Sequence, residues 1–497
     1  MTETGKRIVV VGGSVAGLVG ALALARSGQR VVILEKDPTP LPATPDEAFD
    51  AWERRGAPQV RHSHAFLARM YNLIRDREPE LLRRLLALGA EEITFRAQAL
   101  RYFPDATFEP RDDEAVLLAC RRVTLEWALR QHVLATGLVE FRDGVEVTGF
   151  VADDGNGTPP RVRGVRMRVR GSDETSLAAD LVVDASGRRT RLGDWLVAIG
   201  APLPRVVKQA CGIFYSSRFY RLLPGVDRPN PDSVIGADLG YMKCGIFPGD
   251  SGTFSVTLAA APDDDPLREV LNGPGFEAAA RALPMVAEWV RPEVSTPISD
   301  VQGMASLNDV RRHLVENGEP IALGIVAIGD SLAHANPITG RGCTLAWIAA
   351  YALAEAFERH PDDPRALALD LEAAVERECA PWVRAQIAQD RDAVLVNQAV
   401  RRGEDPYRFE GADGSVDPAA FARSVLRDGL VPALREDLDV LRAFLRVVHM
   451  LDAPEDLLSR PDLAARVLAS HARRHERAAV VLGPSRAEML EILAHAA

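Results

Sequence analysis

The chain offers chemistry from its seventh residue. Arg7 to Gly17 read Arg-Ile-Val-Val-Val-Gly-Gly-Ser-Val-Ala-Gly, an apolar run that breaks into glycines and resumes as a helix-forming stretch to Arg26. A second apolar run, Val31 to Leu34, ends in Glu35 and Lys36. Strand, glycine turn, helix, strand, acidic residue is the order in which a chain holds a dinucleotide. Gly12 and Gly13 permit the tight turn, and Gly17 lets the helix lie close on the strand. Ser14 stands where the middle glycine of the fingerprint usually falls, and is small enough for backbone to approach a pyrophosphate at the helix N-terminus. Glu35 is placed to accept hydrogen bonds from ribose hydroxyls. Taken alone, the motif is also compatible with a glycine turn in an unrelated α/β protein.

Two further segments place carboxylates at strand ends. Leu181 to Arg191 reads Leu-Val-Val-Asp-Ala-Ser-Gly-Arg-Arg-Thr-Arg, and Ile328 to Gly342 reads Ile-Gly-Asp-Ser-Leu-Ala-His-Ala-Asn-Pro-Ile-Thr-Gly-Arg-Gly. The first supplies Asp184 and Arg191. The second supplies Asp330, Pro337 and a Gly340-Arg341-Gly342 turn that opens a helix. Arg122 starts another helix with Leu125 and Leu129 on one face; its neighbour Arg121 is the alternative. Residues 56–66, Gly-Ala-Pro-Gln-Val-Arg-His-Ser-His-Ala-Phe, hold Arg61, His62 and His64. A histidine pair one residue apart suits a metal, a catalytic role or loop backbone, but no third ligand set accompanies it. Neither a nucleophile triad nor a paired-carboxylate motif is legible.

The Gly-Asp, Pro and Gly-x-Gly combination at 329–342 resembles the flavin-binding segment of FAD-dependent monooxygenases of the aromatic-hydroxylase type. The resemblance implies FAD. It implies that Asp330 binds the ribityl chain, that Pro337, Gly340 and Gly342 lie by the isoalloxazine ring, and that Arg122 reaches the cofactor near its phosphates. The Pro-Gln-x-Arg-His-x-His segment, the Cys120 to Trp127 stretch and Tyr215 to Arg221 are similar to those of bacterial flavin epoxidases that act on polyketide and polyether chains. The resemblance runs from residue 7 to about 350. It implies a flavin C4a-hydroperoxide that epoxidises or hydroxylates a lipophilic small molecule, as in secondary metabolism. It also implies that Arg61, His62 and His64 line the flavin or a neighbouring loop. Where single-component hydroxylases of this type carry Asp-Gly, the chain has Asp184-Ala185. NAD(P)H is therefore expected to act either directly or through a separate flavin reductase. A prenyl or alkene reductase is the main alternative, followed by a halogenase and a non-catalytic prenyl-binding escort. The tryptophans never fall two apart, against the halogenase pattern.

Positioning these residues needs an α/β frame: a Rossmann-like FAD-binding domain with an inserted β-sheet substrate domain and a C-terminal helical region. Strands are predicted at 7–11, 30–34, 115–119 and 181–184, helices at 15–27, 65–88 and 123–136, and antiparallel strands across 139–183 with a hairpin loop at 153–160. A separate sheet is predicted from strands at 210–220, 234–247 and 253–260, followed by a helix at 275–290. A strand at 325–329 and a helix at 343–359 come next. The boundaries follow as 1–204, 205–318, 319–365 and 366–497. The substrate is expected between the FAD domain and the sheet, near Phe214, Tyr215, Phe219, Tyr220, Tyr241, Met242 and Phe247, half of which strand alternation turns away.

Composition sets outer limits. The 497 residues are 47% hydrophobic and 26% charged, with a net charge of −11. That charge disfavours broad nucleic-acid binding. The five cysteines are scattered, which suits a reducing cytoplasm. No signal peptide or apolar stretch long enough to span a bilayer is read. Oligomeric state is not legible.

Overall fold

The computed structural model describes residues 5–153, 159–229, 235–411, 413–478 and 481–496. Its central sheet is five-stranded and all parallel. The order is Ile325–Ala327, Leu181–Asp184, Arg7–Val11, Arg30–Leu34 and Val139–Arg142. The three inner strands are short, β-branched and buried, as a sheet covered on both faces requires. Helix Val15–Arg26 is buried along almost its whole length, because it lies between this sheet and helix Gly342–Arg359.

Several predicted elements differ in the structure; the strand expected over 234–247 is a hairpin of two, Ile235–Asp238 and Met242–Pro248. The helix expected over 65–88 is two, Ala68–Arg77 and Pro79–Ala87, since Pro79 has no N–H with which to continue the first. Pro284 likewise ends helix Gly273–Ala282 and starts a short turn, Pro284–Ala287. Val139–Arg142 joins the parallel sheet, so only Val145–Ala152, Val162–Val169 and Thr175–Ala178 form the antiparallel set. Most of the hairpin loop predicted at 153–160, and residue 234 of a predicted strand, lie outside the described residues.

A second, antiparallel sheet runs in the order Ile235–Asp238, Met242–Pro248, Thr253–Ala260, Phe214–Leu222 and Ser295–Pro297, with Gln302–Met304 also paired to Phe214–Leu222. One face carries a separate hydrophobic core that includes Phe214, Tyr220, Phe254 and Trp289. Met489 and Leu493 of the last helix, Arg486–Ala496, pack into that core. A three-stranded sheet of Arg205–Ala210, Asn308–His313 and Ala333–His334 links the two layers. The C-terminal third is helical, and its longest helix, Ala380–Arg401, packs on Asn308–His313. Among the described residues no helix is long and apolar enough to cross a membrane.

Candidate functional site

Gly12 has φ +104°, and a side chain there would come within 2.6 Å of the Ala185 carbonyl oxygen. Gly17 has no room either, because its β-carbon would overlap the Gly12 carbonyl. These two positions let the first turn, the helix and the Asp184 strand close on one another. Gly13 donates its N–H to Glu35 at 2.8 Å, and Asp37 donates to the other carboxylate oxygen at 2.9 Å. Glu35 is thereby fixed at the end of its strand. The first turn of helix Val15–Arg26 contains no acidic side chain, which leaves its positive end open to an anion.

A cleft of about 660 Å³ starts at this turn, within the size range of small-molecule sites. It passes Arg122, the loop Ala185–Arg191, Asp330 and the turn Pro337–Gly342, and ends against the antiparallel sheet. Gly12, Gly13, Ser14, Glu35, Lys36, His62, His64, Arg191, Asp330, Pro337, Gly340 and Gly342 all line it. Gly17 sits behind the wall, in the helix.

The side chain of Ser14 does not cap its helix. It donates to Glu126 at 2.9 Å and accepts from Arg122 at 3.3 Å. Arg122 is buried and its Nη1 is paired to Glu126 at 2.7 Å, while its Nε has no hydrogen-bond partner. A buried guanidinium with an unmet Nε–H beside a helix N-terminus is a fitting neighbour for a phosphate. Arg121, the alternative, is held by Asp250 and Asp46, both at 2.7 Å, and does not line the cleft. The site thus offers a glycine turn, a strand-end carboxylate and a buried guanidinium, a set of groups that fits FAD.

Asp184 and Arg61 depart from expectation. Asp184 is fully buried under the cleft wall. It accepts from the Ser186 N–H at 2.9 Å and the Ser331 hydroxyl at 3.2 Å, and bonds Thr190. It ties the loop Ala185–Arg191 to the turn Gly329–Ser331 without facing the cleft. Arg61 bonds the Asp50 carbonyl at 3.0 Å and lines a second, polar cavity of about 510 Å³. His62 and His64 do line the main cleft. Burial and the positive Arg188 bring His62 down to about 4, and burial and Arg122 bring His64 down to about 3. Both are therefore neutral at neutral pH. His64 Nδ1 donates to the His62 carbonyl at 2.9 Å. Among the described residues, neither belongs to a cluster of three potential metal ligands.

Of the seven apolar side chains expected near the substrate, Tyr215 and Phe247 line the cleft. Phe214, Tyr220, Tyr241 and Met242 face the second core, and Phe219 packs edge-on to Phe49 in the first. Strand alternation turns Phe214, Tyr220 and Met242 away from the cleft, whereas Phe219 shares Tyr215's face and is covered by Phe49 instead. Several lining groups had no signal in the sequence. Arg54 is buried among Glu126, Asp37 and Glu35, at 2.8, 3.3 and 3.3 Å. A chain of hydroxyls on the sheet side joins Ser217 to Thr257 at 2.9 Å and Thr257 to Ser63 at 2.6 Å. These contacts join residues distant in sequence, with no motif to mark them.

Fold and site together define a flavoprotein with the architecture of the FAD-dependent monooxygenases, aromatic-hydroxylase type. Residues 6–197 match the sequence profile of the FAD binding domain. Protein Rv3254 of Mycobacterium tuberculosis is 28% identical over 360 residues, covering 68% of this chain and 70% of that one. Among solved structures, p-nitrophenol 4-monooxygenase PnpA from Pseudomonas putida has a TM-score of 0.57 at 17% identity, covering 91% of this chain and 99% of that one. The probable FAD-dependent monooxygenase pqsL from Pseudomonas aeruginosa gives 0.56 at 17%, covering 80% and 99%. The myxobacterial chondrochloren halogenase CndH gives 0.52 at 16%, covering 99% and 96%.

Proposed function

We propose that this protein is a monooxygenase that epoxidises or hydroxylates a lipophilic small molecule. The observation that carries the reading is one continuous cleft, lined at one end by the dinucleotide cradle and at the other by the antiparallel sheet. Bound FAD would supply the oxygen-activating chemistry. The protein's part is to hold the cofactor through Gly12, Gly13, Ser14, Glu35, Lys36, Arg122, Arg191, Asp330, Pro337, Gly340 and Gly342, to exclude water and to aim the substrate. Tyr215 and Phe247 offer apolar surface, and the Ser63–Thr257–Ser217 hydroxyls offer a hydrogen bond to an oxygen on an otherwise apolar substrate. His62 and His64, being neutral, accept or donate hydrogen bonds there without adding charge.

The electrons come from NAD(P)H, directly or through a separate flavin reductase; Ala185, in place of the glycine expected after Asp184, favours the second route. The test has two stages. Purified protein should show a bound-flavin absorption spectrum, and Asp330→Ala should lose most of it. NADPH with added flavin reductase and labelled dioxygen should then add one labelled oxygen atom to the product. A colourless folded protein that cannot be reconstituted with FAD would sink the cofactor reading. A product that gains two hydrogens and no oxygen would identify an alkene reductase, and a halogenated product a halogenase.

A further inference from the structure

The turn that faces the flavin in this reading is gripped from behind by two buried carboxylates. Asp309, from strand Asn308–His313, accepts the Asn336 backbone N–H at 2.7 Å. Asp390, from helix Ala380–Arg401, accepts the Asn336 side-chain amide on both oxygens, at 3.0 and 2.9 Å, and the Gln386 amide at 2.8 Å. The Asn336 carbonyl oxygen accepts in turn from the Tyr215 hydroxyl and from the Ile338 N–H, the latter at 3.2 Å. Gln386 accepts from Thr339 at 2.8 Å and from Arg341 at 3.1 Å. The turn on which Pro337 and Gly340 line the cleft therefore hangs on one polar cluster.

Both carboxylates are buried, and ligand atoms of Asp309, Asp390 and Cys211 lie within 4.8 Å of one another. Asp390 has amide donors on both oxygens. Asp309 Oδ2 is buried and receives no hydrogen bond, with Asp390 and Cys211 as the polar side chains beside Asp309. Two like charges this close in a dry site repel strongly, and an unpaired carboxylate oxygen there is costly. We propose that Asp309 and Asp390 hold one proton between them, carried on Asp309, and that this proton keeps the turn Asn336–Gly340 in the shape that binds FAD. Asp309 and Asp390 are then positioning residues, acting through Asn336 and Gln386.

The surrounding charges agree. Burial and Asp390 push Asp309 up to about 7. Cys211 and Tyr215 face the pair from strand Phe214–Leu222 and the residues before it, and both are pushed well above neutrality by burial and by the carboxylates. Arg341, brought down by burial to about 10, is still a cation at neutral pH and reaches Asp390 through Gln386. The cleft histidines His62 and His64 lose their protons far below neutrality. Of these groups, Asp309 alone titrates near pH 7. A divalent cation on the same three ligands is the rival occupant, but the amide donors already on Asp390 favour the proton.

The inference rests on the flavin reading of the cleft, and its test separates the two. FAD affinity of the apoprotein is measured by quenching of FAD fluorescence from about pH 6 to about pH 9. If FAD binding favours the protonated pair, the pair's pKa rises on binding. Affinity should then be level below about pH 7 and fall by at least about tenfold by about pH 9. In Asp309→Asn an amide N–H replaces the acid proton, so affinity should stay level across the range. Asp309→Ala should bind weakly at every pH. A flat wild-type profile overturns the proposal, as does an undiminished pH dependence in Asp309→Asn or one equivalent of tightly bound metal whose removal abolishes FAD uptake. Should Asp309→Asn not fold, the wild-type profile and the infrared carbonyl band of a protonated carboxyl group at neutral pH decide; absence of that band overturns it. Folded wild-type protein that takes up no FAD at any pH fails the flavin reading itself.

Discussion

Gly17 has nowhere to put a methyl group. An alanine there would press on the Gly12 carbonyl, and Gly12 is itself held by its positive φ against Ala185. Overpacking at such a junction costs about 1–3 kcal/mol. Gly17→Ala is expected to lower stability by about that amount and to reduce bound flavin, read from the absorption spectrum and a denaturant titration of the same sample. Unchanged flavin content would show that the turn tolerates a shift. This residue was legible because a glycine at a fixed offset from a strand has few other reasons to be there. Asp184 shows where such reading stops. A carboxylate at a strand end looks alike whether it points into a cleft or beneath it, and here it ties Ser186, Thr190 and Ser331 together. Arg61 lies two residues before Ser63 and three before His64, both of which line the cleft, but its side chain runs the other way.

At the scale of elements, apolar periodicity located four of the five parallel strands and the two helices, Val15–Arg26 and Gly342–Arg359, that stack one on the other beside them. Local patterns failed where prolines cut helices at Pro79 and Pro284, and where a strand's partners lay far along the chain, as for Val139–Arg142. The C-terminal helices had no cofactor motif, so their share in the site was invisible. Gln386 and Asp390 reach the turn Asn336–Gly340 only because helix Ala380–Arg401 crosses behind it. Helix Leu438–Val448 does a different task. Its Arg446 is buried, pairs with Asp452 at 2.9 Å and Glu114 at 3.0 Å, and bonds the Arg111 carbonyl at 3.2 Å. Arg446→Ala should therefore destabilise the fold by about 1–3 kcal/mol, less than a fully buried pair because Asp452 and Glu114 remain partly hydrated. Its FAD affinity should be unchanged. Gln386→Leu should do the reverse, weakening FAD binding more than stability. Equal effects of both substitutions on FAD affinity would refute this division of the helical region.

For the molecule as a whole, buried histidines set the response to acid. His62 and His449 are brought down to about 4 and His64 to about 3, chiefly by burial. The unfolded chain protonates these three near pH 6.5, whereas the folded chain refuses the protons until far lower. Stability contributed by keeping them neutral is thus complete above about pH 6.5 and drains away as pH falls toward 4. Asp309 works the other way. Raised to about 7, it takes up a proton in the folded state between about 7 and 4 while the unfolded chain does not, so it gains stability over that window. Each group changes stability by at most about 1.4 kcal/mol per pH unit, so these three histidines against one aspartate give a net loss of about 3 kcal/mol per unit, to which His313, His334 and His471, also held low by burial, add. Glu78, held low by His132 and Arg26, and Glu126, held low by Arg122 and Arg54, steepen the loss only below their ordinary value of 4.5. Denaturant midpoints should therefore fall steadily from about pH 6.5 to about pH 4.5 and vary little between about pH 7 and 8. His449 does not line the cleft and accepts the Ala68 N–H at 3.3 Å, so His449→Gln should flatten part of this slope without touching FAD binding. Midpoints that hold level down to about pH 4.5 would mean that the histidines are hydrated and charged in the folded chain.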